Sequence, residues 1–134
     1  MFVILFVCVD DRMGMTFNSR RQSRDSVVTE KILEMSKGKT LWMNGYSAKM
    51  FDSSGVKISD SFLCEAGMGE GCFVETDDVS PFESKIEKIV LFKWNKVYPS
   101  DKKLNIDFGM FELKSSIDLE GTSHEKITCE VWER

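Results

Sequence analysis

The chain has 134 residues, of which 42% are hydrophobic and 30% are charged, and its formal net charge is −4. This length and composition predict one globular domain (residues 1–134) with its own core, and they exclude a disordered or low-complexity chain. The acidic total argues against general binding of nucleic acid or of an anionic membrane, although a local basic patch can override it.

Cysteine usage and the N-terminal run indicate a cytoplasmic protein. The four cysteines have no Cys-x-x-Cys spacing and the only histidine is His124, so we expect reduced structural thiols and no metal site. The apolar run at the start lacks a basic region and a cleavage site, and it is shorter than the ~20 residues that a membrane span needs. No membrane association is therefore expected.

That run, FVILFVCV at 2–9, is the first predicted element. Eight apolar residues rich in Val, Ile and Phe are typical of a strand that is buried on both faces, in the middle of a parallel or mixed sheet. A polar segment that continues to Asp25 follows it, and we expect a loop there. Ligand crevices usually form where the chain leaves such a strand.

Helical and extended patterns alternate over the next fifty residues or so, from residue 25 to residue 75. Residues 25–37 have apolar positions on one helical face, with Ser23 or Asp25 as the N-cap and Gly38 as the stop. A strand at 40–43, a short helix at 46–51, a less regular helix at 58–66 and a buried strand at 72–75 follow. This alternation predicts an α/β fold.

The last part of the chain is predicted to end in a hairpin. Ser80 and Glu83 have the spacing of a capping box, with Pro81 at the first helical position, so a helix is expected to about residue 87. A strand at 88–95, another at 111–115 and an alternating strand at 124–134 complete the chain. We therefore predict a mainly parallel central sheet with flanking helices and a C-terminal antiparallel hairpin.

Six stretches carry a family resemblance: FVCVDDRMGM, Phe17-Asn18, KTLWMNGYSAKMF, KIEKIVLFKWNKVYPSD, Phe111-Glu112-Leu113 and the closing EKITCEVWER. They resemble the first strand and its turn, the segment before the first helix, the second strand and helix, and the C-terminal strands of the dihydrofolate reductase family. The resemblance implies a dihydrofolate reductase-like fold in a short form.

One departure from the family bears on the cofactor. Members of the family bind the NADPH pyrophosphate on a Gly-Gly-Gly turn, whereas the equivalent turn here contains Glu75, Asp77 and Asp78 and has no glycine. Like charges a few ångströms apart cost roughly 1–4 kcal/mol each near a protein surface. We therefore expect no NADPH cofactor. If the protein were still a reductase, the resemblance would give Asp25 the role of proton donor.

The loop between the first strand and the first helix holds the densest cluster of positive charge. Its arginines predict an anion site, since guanidinium groups bind phosphate and carboxylate with two hydrogen bonds, and neighbouring amides add donors. The alternative is a solvated loop whose arginines pair with Asp10, Asp11 and Asp25. The predicted ligand-binding residues are Asn18, Arg20, Arg21, Gln22, Arg24 and Asp25.

Two other sets of residues receive a structural interpretation. The carboxylates at 75–78 could bind Mg²⁺, but we expect them instead to favour the start of the following helix electrostatically. His124, near the C-terminus and without an evident partner in the sequence, is expected to be a surface residue and not a catalytic one.

No catalytic signature is found, so the favoured function is a binding protein, a pseudoenzyme of this fold, that holds an anionic small molecule or a protein partner at the loop 20–25. Two alternatives stay open. One is a divergent nucleotide- or pterin-dependent reductase, and the other is a protein that binds the phosphates of RNA or nucleotides.

Overall fold

The computed structural model describes residues 3–51 and 55–134. Its helices are α1 (Ser26–Met35), α2 (Gly45–Ala48) and α3 (Phe62–Glu65), with 3-10 segments at Lys49–Phe51, Ser80–Lys85 and Phe108–Met110. Its strands are β1 (Val3–Val9), β2 (Gly14–Phe17), β3 (Arg20–Arg21), β4 (Leu41–Met43), β5 (Val56–Ile58), β6 (Gly71–Val74), β7 (Ile86–Lys93), β8 (Lys102–Lys103), β9 (Glu112–Leu119) and β10 (Ile127–Glu133).

Seven strands form the main sheet, in the order β5-β4-β6-β1-β7-β10-β9. The first five are mutually parallel, while β10 runs antiparallel to both β7 and β9. The predictions of a mainly parallel sheet, flanking helices and a C-terminal antiparallel hairpin are confirmed. A small second sheet, β3-β2-β8, lies at the end of β1.

The strand β1 occupies the middle of the main sheet, as its apolar sequence predicts. All its residues are buried except Cys8, which is half-buried. Val3, Leu5, Val7 and Val9 face one hydrophobic cluster, whereas Ile4 and Phe6 face the cluster that contains the buried side of α1. Burial on both faces explains why this strand has a continuous apolar sequence.

Helix α1 begins as predicted, with Asp25 as its N-cap. The Asp25 backbone is extended and its carboxylate accepts a hydrogen bond from the Val27 amide. Shortly after the helix ends, Gly38 adopts a φ of 80°, a left-handed conformation that glycine takes without steric cost. The chain then returns to the sheet as β4.

The predicted capping box at Ser80 is wrong. Residues Ser80–Lys85 form a 3-10 segment without a side-chain cap, because the Asp78 carboxylate accepts hydrogen bonds from both the amide and the hydroxyl of Ser80. Glu83 accepts instead from the Asp107 amide, at 2.8 Å. An aspartate two residues before the serine offers a local bond that competes with the cap.

Two other predictions are corrected. The polar segment after β1 is a hairpin and not a loop: β2 and β3 are joined through Asn18 and Ser19, both with positive φ, a conformation typical of tight hairpin turns. The helix predicted at 58–66 is shorter, since only Phe62–Glu65 is helical, and the edge strand β5 precedes it. Among the described residues, no helix has the length and apolar character to cross a membrane.

A glycine in β6 tests the packing of the sheet. A Cβ atom at Gly71 would lie 2.9 Å from the Phe6 ring and 3.2 Å from a Leu41 methyl group, and both side chains are buried. We expect Gly71→Ala to lower the free energy of unfolding by about 1–3 kcal/mol through overpacking. Urea denaturation of the purified protein measures this change.

The matched control is Gly45→Ala in α2, where the nearest atom to a new Cβ would be 4.0 Å away. Because alanine favours a helix over glycine, this variant should be neutral or gain up to about 1 kcal/mol. Equal losses in the two variants would contradict the packing described for β6.

Candidate functional site

The carboxylate of Asp25 lies at the centre of a buried polar cluster at the start of α1. Besides capping the helix, it accepts hydrogen bonds from the amide and hydroxyl of Thr122, at 3.0 and 2.9 Å, and from the Ser123 amide, at 2.9 Å. Its Oδ2 atom also lies 2.9 Å from Nδ1 of His124. The residue is 4% exposed. One carboxylate therefore joins the head of α1 to a turn about a hundred positions later.

Gly121 allows this close approach. A Cβ atom there would lie 2.6 Å from Oδ2 of Asp25 and 2.6 Å from the carbonyl oxygen of His124. Any larger residue would collide with the buried carboxylate or with the backbone. The glycine of the turn between β9 and β10 is thus required by packing against Asp25.

Hydrogen bonding keeps Asp25 ionised despite its burial. Burial alone would raise the pKa of the carboxyl group, but the bonds from Thr122, His124, Ser123 and Val27 outweigh it and hold the pKa well below its usual range. A carboxyl group in this environment remains a carboxylate at neutral pH. It is therefore poorly suited to donate a proton.

His124 is buried, so the expectation of a surface histidine is wrong. Its ring stacks on Trp94, with centroids 4.7 Å apart and an interplanar angle of 24°. While Nδ1 contacts Asp25, Nε2 lies 2.9 Å from the hydroxyl of Ser23 and 3.4 Å from that of Tyr98. These partners are far from His124 in sequence, and for that reason no local pattern indicated them.

Arg21 is neutralised by an acidic residue from the end of the neighbouring strand β6. Its guanidinium binds the carboxylate of Glu75 with two hydrogen bonds, at 2.8 and 2.9 Å, and lies over the ring of Tyr46. The hydroxyl of Ser47 donates to the same buried carboxylate, at 2.8 Å. The bridge lies at the edge of the sheet where β1 and β6 end. Arg21 therefore pairs with none of the three aspartates expected as partners of the arginines.

The other predicted ligand-binding residues between β1 and α1 have different environments. Gln22 donates to the buried carboxylate of Asp10, at 3.1 Å, and to the carbonyl of Pro99, at 3.2 Å. Asn18 lies at the exposed hairpin tip, and its backbone amide donates to the carboxylate of Asp101, at 3.0 Å. Arg20 and Arg24 are exposed, and within residues 3–51 and 55–134 neither lies within 4.0 Å of a carboxylate.

The acidic turn after β6 is held by amides and hydroxyls. Asn44 donates to Thr76 and to Asp77, at 3.0 and 3.1 Å, and desolvation raises the pKa of Asp77. Asp78 is bound by Ser80. In the described parts of the chain, no group of three or more histidine, cysteine, aspartate or glutamate residues is arranged to hold a metal ion.

Acid should weaken the Asp25 cluster. The pKa of this group is lower in the folded protein than its unfolded value of about 3.9, so its contribution to stability is present above that pH and is lost as the pH falls. We expect Asp25→Asn to lower the free energy of unfolding by about 2–4 kcal/mol at pH 7. The difference from the unsubstituted protein should narrow between pH 4 and pH 2, as measured by urea unfolding.

The control is Asp11→Asn, at an exposed aspartate in the turn after β1, which should change stability by less than about 0.5 kcal/mol. A difference between Asp25→Asn and the unsubstituted protein that stays constant with pH would contradict the ionised, hydrogen-bonded state of Asp25.

Comparison with known proteins supports the fold assignment. No protein-family model matches the sequence, and no curated protein matches it. Among solved structures, the chain is similar to a dihydrofolate reductase from Enterococcus faecalis, described as complexed with NADP(H) and RAB-propyl, with a TM-score of 0.70 and 11% sequence identity. The similarity covers 99% of this chain and 96% of the other. The protein therefore has a dihydrofolate reductase-like fold.

Proposed function

We propose that this protein is a binding protein without NADPH-dependent reductase activity, and that it holds an anionic small molecule at the exposed guanidinium groups of Arg20 and Arg24, on its crevice rim (residues 17–25). The observation that carries the proposal is that Arg20 and Arg24 are exposed beside the paired Arg21, with no carboxylate of the described residues within 4.0 Å of either. In open α/β sheets, ligands usually bind in the crevice beyond the carboxyl ends of the strands. Here an ion pair lies at the ends of β1 and β6.

The charge around this bridge favours an anion at the rim and disfavours one at the turn after β6. Arg21 is already paired with Glu75, whereas Arg20 and Arg24 remain exposed on the same segment. Guanidinium groups free of a protein carboxylate are available to bind phosphate or carboxylate. Asp77 and Asp78, in contrast, repel a pyrophosphate at the turn.

The alternative of a divergent reductase with Asp25 as proton donor is less favoured. The Asp25 carboxylate already accepts bonds from Val27, Thr122 and Ser123, and its pKa is lowered. The oxygens of the Asp25 carboxylate are already bound within the protein. A protein that binds the phosphates of RNA or nucleotides would use the same two arginines. The binding experiment below distinguishes this alternative from binding of a small anion.

Binding of pyrophosphate, citrate, NADPH and an RNA oligonucleotide can be compared by thermal shift and calorimetry. A ligand at a hundred times its dissociation constant stabilises a protein by about 2.7 kcal/mol, which such assays detect readily. We expect pyrophosphate or citrate to bind, and the double variant Arg20→Gln/Arg24→Gln to weaken this binding about tenfold. The control Lys37→Gln removes an exposed positive charge beyond the other end of α1 and should leave binding unchanged.

Unchanged anion binding in the double variant would contradict the proposed site. NADPH binding tenfold tighter than pyrophosphate and independent of the two arginines would favour the reductase alternative. Binding of the RNA oligonucleotide more tightly than either small anion would favour the third hypothesis.

A further inference from the structure

Three side chains that the proposed function does not use are arranged for nucleophilic chemistry. We propose that the hydroxyl of Ser23 is a nucleophile for small carboxylic esters, with His124 as its general base and Asp25 as the positioning residue for the imidazole. This activity goes beyond anion binding by Arg20 and Arg24, because it depends on none of the arginine side chains.

The distances fit a relay of two hydrogen bonds through one ring. Oγ of Ser23 lies 2.9 Å from Nε2 of His124, and Nδ1 of the same ring lies 2.9 Å from Oδ2 of Asp25. A nucleophile and a base within about 2.6–3.2 Å, with the base oriented by a third group, is the arrangement by which serine is activated on unrelated folds. Sequence order does not matter for such a site, because only the geometry is recognised.

The ionised state of Asp25 determines which nitrogen of the histidine accepts a proton. A carboxylate has no proton to donate, so the contact with Asp25 requires a proton on Nδ1. In the neutral form of the ring, the lone pair is then on Nε2, which faces the Ser23 hydroxyl. The stacking of the ring on Trp94 holds this orientation. The base is therefore aligned before any substrate arrives.

The three side chains differ in solvent exposure: Ser23 is half-buried, whereas His124 and Asp25 are buried. His124 is 7% exposed, so water has little access to the imidazole. Ser23 is less enclosed than His124 and Asp25. Low exposure of the base and the carboxylate strengthens their electrostatic interaction.

The chemistry balances with water as the only co-reactant. Oγ of Ser23 attacks the ester carbonyl while its proton moves to Nε2 of His124, and the alcohol leaves with that proton to give an acyl-serine. Water then attacks the acyl group with His124 again as base, the carboxylic acid is released, and the proton returns to Ser23. Asp25 keeps its negative charge throughout and stabilises the imidazolium.

An alkyl fluorophosphonate tests this inference, because it reacts with activated serines. Oγ of the serine bonds to phosphorus, fluoride leaves, and the hydroxyl proton passes to the histidine. We expect the intact protein to gain one phosphonyl group, which peptide mass spectrometry locates on Ser23. Ser23→Ala should reduce the rate of labelling at least tenfold. A hydrogen bond with only a structural role would produce no labelling.

The matched control is Ser26→Ala, which removes a hydroxyl from the same segment. The Ser26 side chain contacts Thr122 and not the histidine, so labelling should continue at the original rate. Circular dichroism of both variants checks that they are folded. Absence of an adduct on the folded, unsubstituted protein, an adduct retained by Ser23→Ala, or an equal loss in Ser26→Ala would each overturn the inference.

The expected labelling of Ser23 does not depend on the proposed anion site. The variant Arg20→Gln/Arg24→Gln should still be labelled at Ser23, and Ser23→Ala should still bind pyrophosphate. Failure of one proposal is therefore distinguishable from failure of the other.

Discussion

The organisation of the crevice rim depends on the buried carboxylate of Asp25. A buried charge is costly unless the protein replaces the water it loses, and here amides, hydroxyls and a histidine from two distant segments do so. The same hydrogen bonds cap α1, hold the turn before β10 and fix the imidazole of His124. Gly121 permits these bonds because only hydrogen in place of a side chain leaves room for the carboxylate.

A second charged pair lies at the end of the central sheet. The ion pair of Arg21 with Glu75 forms a neutral bridge there, and Asp77 and Asp78 follow in the turn after β6. A dihydrofolate reductase-like fold is thus combined with negative charge at the turn after β6, and like charges there repel. The exposed positive charge of the rim is that of Arg20 and Arg24. Fold similarity alone does not decide function, whereas charges at the site restrict it.

The sequence was most informative where local patterns determine local structure. The apolar run of β1 and the N-cap of α1, for which Ser23 and Asp25 are the two candidates in the sequence, follow from burial and capping, and the structure confirms them with Asp25 as the cap. The alternation predicted for β10 is seen only at Ile127 and Cys129, since residues 130–133 are all half-buried. The pairing of Asp25 with His124 joins residues 99 positions apart, so it depends on the assembled tertiary structure and has no local signal. The capping box at Ser80 failed for a local reason, because Asp78 competes for the same donors.

The β2–β3 hairpin also lacks a local sequence pattern from which it could have been predicted. Its strand β3 has only two residues, both arginines, so it has no apolar alternation to distinguish it from a solvated loop. Consequently three arginines that look equivalent in sequence have different roles. One is held against Glu75, while Arg20 and Arg24 remain exposed.

Nitrogen-15 NMR of histidine in the folded protein at pH 8 tests the central claim directly. The protein has a single histidine, so the ring signals need no assignment by mutation. An ionised Asp25 that fixes the imidazole predicts a proton on Nδ1 and an unprotonated Nε2 facing Ser23. The opposite tautomer, or an imidazolium with protons on both nitrogens, would contradict it.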